Sequence, residues 1–201
     1  MCPKRDKYTA PVAHAGQIRE GELDAQGEAR RRIALANIRQ YPDPVLRLRA
    51  REVERFDHDL ARLVERLMRL MRDANGVGLA ATQAGVLQRV FVFLASEEDE
   101  ATALVNPRIV EHSDEVETDD EGCLSLPGVL VPVERYATVT VEGNDPSGTD
   151  LRLELTGLAA CVAQHEVDHL DGVLILDRTT PASRREALAT LRPQPVLGAL
   201  R

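Results

Sequence analysis

Two histidines four residues apart constrain this chain more than any other feature. They are His165 and His169, in the run Gln164-His165-Glu166-Val167-Asp168-His169-Leu170-Asp171-Gly172. Four residues is close to one helical turn, so both imidazoles project from one face of a helix. There they can bind one metal ion, with Glu166 beside them as a candidate general base. The flanking residues also read as helix. Thr156 can cap its start, Leu158, Cys161 and Val162 supply an apolar face, and Gly172 suits a C-terminal stop. A catalytic metal usually takes three protein ligands and keeps one position for water, so a third ligand must come from elsewhere.

Cysteine is the natural place to look. Cys2, Cys123 and Cys161 are odd in number and widely spaced, which points to thiols or metal ligands in a reducing compartment rather than to disulfides. Cys123 lies within Asp119–Gly128, beside Gly122 and polar residues, which suits a bent, solvent-accessible loop and makes it the best candidate. Cys161 fits a small buried hydrophobe better. One thiolate and two imidazoles leave a fourth position for water, whose pKa a metal lowers toward neutrality.

The totals exclude several classes. A net charge of −8 argues against a broad nucleic-acid-binding surface. No stretch approaches the length of a transmembrane helix. The N-terminus lacks the apolar core of a secretory signal, and its acids (Asp6, Glu20, Glu22, Asp24, Glu28) are unlike a transit peptide, so a cytoplasmic location is expected. With 43% hydrophobic but only 3% aromatic residues, the core must be mainly aliphatic.

Residues 1–32 are polar and without sustained periodicity and read as a loosely ordered extension; residues 33–201 read as one catalytic domain. Tyr41-Pro42-Asp43-Pro44 enforces an extended, turn-rich entry. A helix capped by Asp57 or Asp59 carries Leu60, Leu63, Val64, Leu67, Met68 and Met71 to Asn75-Gly76. The glycine-rich run Gly76–Gly85 has no Lys-Ser/Thr and is no phosphate loop; its Gln83 can both donate and accept hydrogen bonds. Strands are predicted at Arg89–Ala95, Ala103–Val110, within Val129–Val141 and at Leu151–Leu155, with an acidic hairpin tip at Glu97–Glu100. Val173–Leu176 suits a short strand, and Ala182–Leu191 a last helix stopped by Pro193. The sum is a single α+β domain with antiparallel strands around one central metal-binding helix.

Three blocks in order, Gly76–Gln83 (GVGLAATQ), Glu121–Ser125 (EGCLS) and Gln164–Gly172 (QHEVDHLDG), resemble the peptide deformylases. The likeness runs from Tyr41 to about Asp177. It implies a hydrolase that removes the formyl group from the N-terminal formyl-methionine of nascent polypeptides and releases formate. Formylated nascent peptides would be its partners, with association with the ribosome allowed and neither nucleic acid nor membrane required. By position, Cys123, His165 and His169 would hold one divalent ion. The resemblance favours Fe(II), and the donor set also suits Zn, Ni or Co. Glu166 would shuttle the proton. The Gln83 side chain and the Leu124 backbone N–H would hold the oxyanion. Backbone groups of Gly78 and Gly122 would align the peptide, and Val77, Cys161 and Val162 would line the methionine pocket. Asp168 suits either the orientation of a neighbour or a surface salt bridge.

The fit is imperfect: Leu130 stands where many bacterial members have an arginine, seven residues after the cysteine, and the N-terminal extension and the tail with Pro193 and Pro195 lie outside what the motifs explain. Among rivals, a zinc endopeptidase would take its third ligand downstream of the helix, and the upstream Cys123 block argues against it. A non-catalytic descendant would not need the full set of reactive residues. A nucleotide enzyme would need a glycine motif in another context.

Overall fold

Apolar side chains at Leu60, Leu63, Val64, Leu67 and Met71 recur every three to four residues and bury one face of helix α2 (His58–Asp73). Asp57 starts that helix, its carboxylate accepting from the backbone N–H groups of Asp59 and Leu60. Each such side chain contributes roughly 1.5–3 kcal/mol when fully buried, so the stripe alone fixes which face of α2 turns inward. The computed structural model of the protein describes residues 15–17, 23–94 and 100–192.

Against α2 packs a five-stranded sheet. Its strands are β2 (Gly78–Ala80), β3 (Val90–Phe93), β4 (Thr102–His112), β7 (Thr138–Asn144) and β8 (Asp150–Thr156), hydrogen-bonded in the order β2-β3-β4-β7-β8. All four pairings are antiparallel. Phe91 and Phe93 on β3 are fully buried, and the rest of this core is aliphatic, as the composition requires. A second sheet joins β1 (Ala15–Gly16), β5 (Val116–Cys123) and β6 (Leu126–Tyr136). The smaller core beneath it uses Leu126, Val129, Val131 and Val133 of β6 with Leu174, Ile175 and Leu176. Helix α3 (Gly157–Leu170) touches strands of both sheets. It is buried on nearly every side, including at Gln164, His165, Glu166, Asp168 and His169. A helix buried all round must find a partner for each polar group it carries, and the site grows from that demand.

The α+β class, the α2 cap and stripe, and the Leu151–Leu155 strand agree with expectation. Four readings change. The stretch expected to be loosely ordered up to residue 32 instead includes α1 (Ala25–Ala36), capped by Asp24 and packed against α2. Its polar surface hid a helix whose inward residues, such as Gly27 and Ala34, are too small to register as an apolar stripe. Residues 1–14 and 18–22 lie outside the described residues, as do Glu97, Glu98, Asp99 and Pro193. Among the strands of the described residues one pairing breaks the antiparallel rule, because β1 runs parallel to β5. Cys123 is fully buried at the end of a strand rather than in an exposed loop. The acids of β5 misled there: Asp119 and Asp120 face solvent while Glu121 turns inward. Finally, the segment expected as a strand at Val173–Leu176 enters a one-turn helix α4 (Ile175–Arg178), where the Asp177 carboxylate accepts from the Leu174 N–H. The last helix, α5 (Pro181–Thr190), lies close to its predicted place.

Helix α3 stops where Gly172 takes φ +76°, and a Cβ added there would lie 2.6 Å from the Arg47 carbonyl oxygen. Gly172→Ala therefore meets both backbone strain and a clash with main chain. A loss of about 1–3 kcal/mol or more is expected, read as a lower urea midpoint at unchanged slope.

Candidate active site and metal centre

The helical spacing brings His165 and His169 to one side of α3, with their Nε2 atoms 3.2 Å apart. The end of β5 delivers the third donor: Cys123 Sγ lies 3.3 Å from His169 Nε2. One ligand atom from each of the three falls within 4.8 Å of the others, and all three residues are buried. Lone-pair donors converging this closely repel unless a cation or a shared proton lies among them. The donor set fits a divalent transition ion, since thiolate and imidazole are the ligands of Zn(II) and Fe(II) sites. The backbone N–H of Ser125 also points at Sγ from 3.4 Å.

His165 is aimed by a carboxylate that no single-residue reading had singled out. Its Nδ1 lies 2.8 Å from Glu121 Oε2, which leaves Nε2 to face the other donors. Glu121 is held in turn by Arg135, whose guanidinium bonds both carboxylate oxygens at 2.7 and 3.1 Å and reaches Asp168 Oδ2 at 2.6 Å. Arg178 closes the chain on Asp168 from the other side. Asp168 is thus buried and paired with two arginines rather than forming a surface salt bridge.

Charge follows from these contacts. Burial alone would push the Glu121 carboxyl up, but hydrogen bonds from His165 and Arg135 outweigh it and hold the group well below the usual carboxylate range. Burial would push His165 down. Its hydrogen bonds to Cys123 and Glu121, with the Glu121 charge, prevail and raise it to about 10. His169 goes the other way, well below its ordinary value, through burial and the neighbouring His165 charge. In the metal-free chain a proton on His165 thus does the work a cation would do. An incoming ion must displace it.

Glu166 stands on the same helix. Burial raises its carboxyl to about 7, against the opposing effect of the His165 charge and a hydrogen bond from Gln17. A group poised there can take up a proton and return it near neutral pH. Gly78 makes room for it: a Cβ on Gly78 would collide with Glu166 Oε1 and lie 2.7 Å from Val162 Cγ1. Val77 and Val162 are fully buried nearby, and Cys161 directs its Sγ at Glu121 Oε1 from 3.3 Å. Gln83 sits in a 3-10 turn (Ala81–Ala84), its Oε1 accepting from the Ala80 N–H and its Nε2 donating to Ser125 Oγ at 3.0 Å. Gly122 pairs with Leu130 on one side and with Gly16 on the other. Leu130 itself is half exposed.

The helix motif, the Cys123 block and Gln83 therefore meet in one place. Sequence reasoning missed Glu121, Arg135, Ser125 and Gln17. Two signals were available: Glu121 is two residues from Cys123 on the same strand face, and Arg135 continues the inward series Val131, Val133 on β6. Nothing marked Gln17.

A convergent donor triad beside a buried carboxyl near neutrality is the arrangement of a metal-assisted hydrolase. Residues 35–185 match the family model of polypeptide deformylase. Peptide deformylase 1 of Corynebacterium efficiens is 45% identical over 162 residues, covering 80% of this chain and 96% of that protein. The peptide deformylase of Thermotoga maritima is 46% identical over 147 residues, covering 73% and 88%. Its crystal structure superposes with a TM-score of 0.69, covering 72% of this chain and 97% of that one at 45% identity. Arabidopsis thaliana peptide deformylase 1B, in complex with an inhibitor, gives 0.73 at 38% identity, covering 77% and 89%. The chain belongs to the polypeptide deformylase family and is an enzyme. No described helix is long and apolar enough to cross a membrane.

Two outcomes test the electrostatics. Loading Ni(II) or Zn(II) into metal-free protein near neutral pH should release protons, since His165 must give its proton up. Calorimetry in buffers of different ionisation enthalpy measures that release. Arg135→Ala takes the two-pronged arginine partner from buried Glu121 and one of the two arginines from Asp168, and should cost about 3–5 kcal/mol of stability in denaturant unfolding.

Proposed function

We propose that this enzyme removes the formyl group from the N-terminal formyl-methionine of nascent polypeptides, in the cytoplasm and as chains leave the ribosome, releasing formate. The observation that carries the reading is Glu166, a buried carboxyl raised to about 7 beside the Cys123, His165 and His169 donors. Those three residues would hold one divalent ion, Fe(II) in the working enzyme. When bound, the ion supplies Lewis-acid activation of water at neutral pH.

The chain's own groups do the rest. Glu166 accepts a proton from the attacking water and returns it to the leaving amine. Gln83 Nε2 and the Leu124 backbone N–H donate to the oxygen that gains charge, each such donor being worth ~3 kcal/mol in the transition state. Gly78 and Gly122 present backbone groups along which an extended peptide can align. Val77, Cys161 and Val162 receive the methionine side chain. The crowding of Glu166 and Val162 against Gly78 supports this placement, because it sets the Gly78 backbone directly beside the reacting carboxyl.

Two experiments decide. Purified under nitrogen, the protein should release formate from formyl-Met-Ala-Ser and act far more slowly on acetyl-Met-Ala-Ser. Apolar discrimination of one methyl gives only ~10–200-fold, so a larger ratio would mean steric exclusion at the reacting carbon. Cutting of internal bonds in a denatured protein, without formate, would sink the proposal. Glu166→Gln should stay folded and keep its ion, yet lose roughly a hundredfold or more in rate. Loss of the ion instead would make Glu166 a ligand rather than a base.

A further inference from the structure

Gln17 lies far outside the family-matched residues 35–185, yet its side chain is fully buried in the middle of the site. Its Oε1 accepts from the Leu124 N–H at 3.1 Å and from Gln83 Nε2 at 2.9 Å. Its Nε2 donates to Glu166 Oε1 and to Gln83 Oε1, both at 2.7 Å. The orientation of the amide is forced, because a backbone N–H can only donate, so the atom facing Leu124 must be the oxygen. That oxygen is also 3.4 Å from Cys123 Sγ, about the separation of the thiol from His169.

The main chain around it is equally engaged. The Gln17 N–H donates to the Gly122 carbonyl at 3.1 Å, and the Gln17 carbonyl accepts from the Val77 N–H at 3.0 Å. Ala15 and Gly16 pair in parallel with Glu121 and Gly122. An extended segment of the chain therefore runs between the two strips of backbone that flank the site. It delivers a planar amide whose oxygen meets the two oxyanion donors and whose nitrogen meets the proton-shuttling carboxyl. A formyl amide offers the same carbonyl oxygen and one of the two N–H groups in the same order.

We infer that the segment Ala15–Gln17 is a built-in substrate mimic, in which the Gln17 carboxamide occupies the place of the formyl amide and must leave before a formylated peptide can enter. This rests on the deformylase reading above and adds regulation to it. An N-terminal segment that competes with substrate raises the apparent KM by the inverse of the open fraction and leaves kcat unchanged.

The test uses the full-length, metal-loaded chain. With a seated population of ~90%, Gln17→Ala should lower the KM for formyl-Met-Ala-Ser by ~tenfold with kcat unaltered. A second measurement follows backbone hydrogen exchange at residue 17 in the slow Glu166→Gln protein. Saturating formyl-Met-Ala-Ser should abolish the protection of the Gln17 N–H. Formate release by the parent enzyme with an unchanged or higher KM in Gln17→Ala overturns the mimic and leaves the deformylase reading intact. A Gln17 N–H that stays protected with peptide bound overturns it as well. Absence of formate release from both proteins overturns the deformylase reading, and the mimicry falls with it.

Discussion

The Glu121 carboxylate is the joint on which both the fold and the site turn. It sits fully buried on β5 and holds Arg135 from β6 and His165 from α3, while Arg135 extends the contact to Asp168 one turn further along α3. Taking three charged groups out of water is costly, and a well-packed apolar cluster of the same volume would stabilise the chain as much or more. What the ionic cluster adds is direction. Each partner has fixed geometry, so α3 can dock against β5 and β6 in only one rotation, with the Nε2 atoms of both histidines turned toward Cys123.

Backbone complements that rotation on the opposite wall. Gly78 lets β2 come so close to α3 that no side chain fits between them, and the Gln83 turn follows directly. The site is therefore lined on one side by charged groups that fix orientation and on the other by main chain and an amide that can donate and accept. Such a wall has hydrogen-bonding capacity but little charge of its own. That is why burial, and not a neighbouring anion, is the chief cause of the raised Glu166 carboxyl.

How much of this could be read from the residues alone follows from the range of the interactions. The α2 cap and stripe, the α3 helix with its paired histidines, and the Leu151–Leu155 strand within β8 rest on patterns within a few residues, and these were legible. Cys123 was legible as a ligand candidate by its chemistry but not in its burial, because a strand with acids on both faces looks like a loop until its partner is known. Arg135 gave no sign of its role, and Asp168 suited a surface salt bridge as well as the orientation of a neighbour, for the same reason: only the β5–β6 register and the docking of α3 bury them together. The helix α1 and the seat of Gln17 depend wholly on contacts between distant segments, and a polar stretch gives no local sign of either.

The seat of Gln17 bears on why Glu166 can stay buried at all. A carboxyl cut off from water needs a partner that will also give way to substrate. The Gln17 amide donates to one oxygen of Glu166, while the other, Oε2, meets no partner among the described residues. A formylated peptide has one N–H where the Gln17 amide has two, so the exchange keeps the bonds from Leu124 and Gln83 Nε2 and the one to Glu166 but gives up the one to Gln83 Oε1, and those contacts slightly favour Gln17. A peptide must make up that difference elsewhere, through the backbone pairing along Gly122 and Val77 and through contact with the apolar wall at Val77 and Val162. On the proposed function a methionine side chain would be received there, and each methylene it removed from water would add ~0.8 kcal/mol. On that reading the site yields to a peptide that brings both the amide and the apolar side chain.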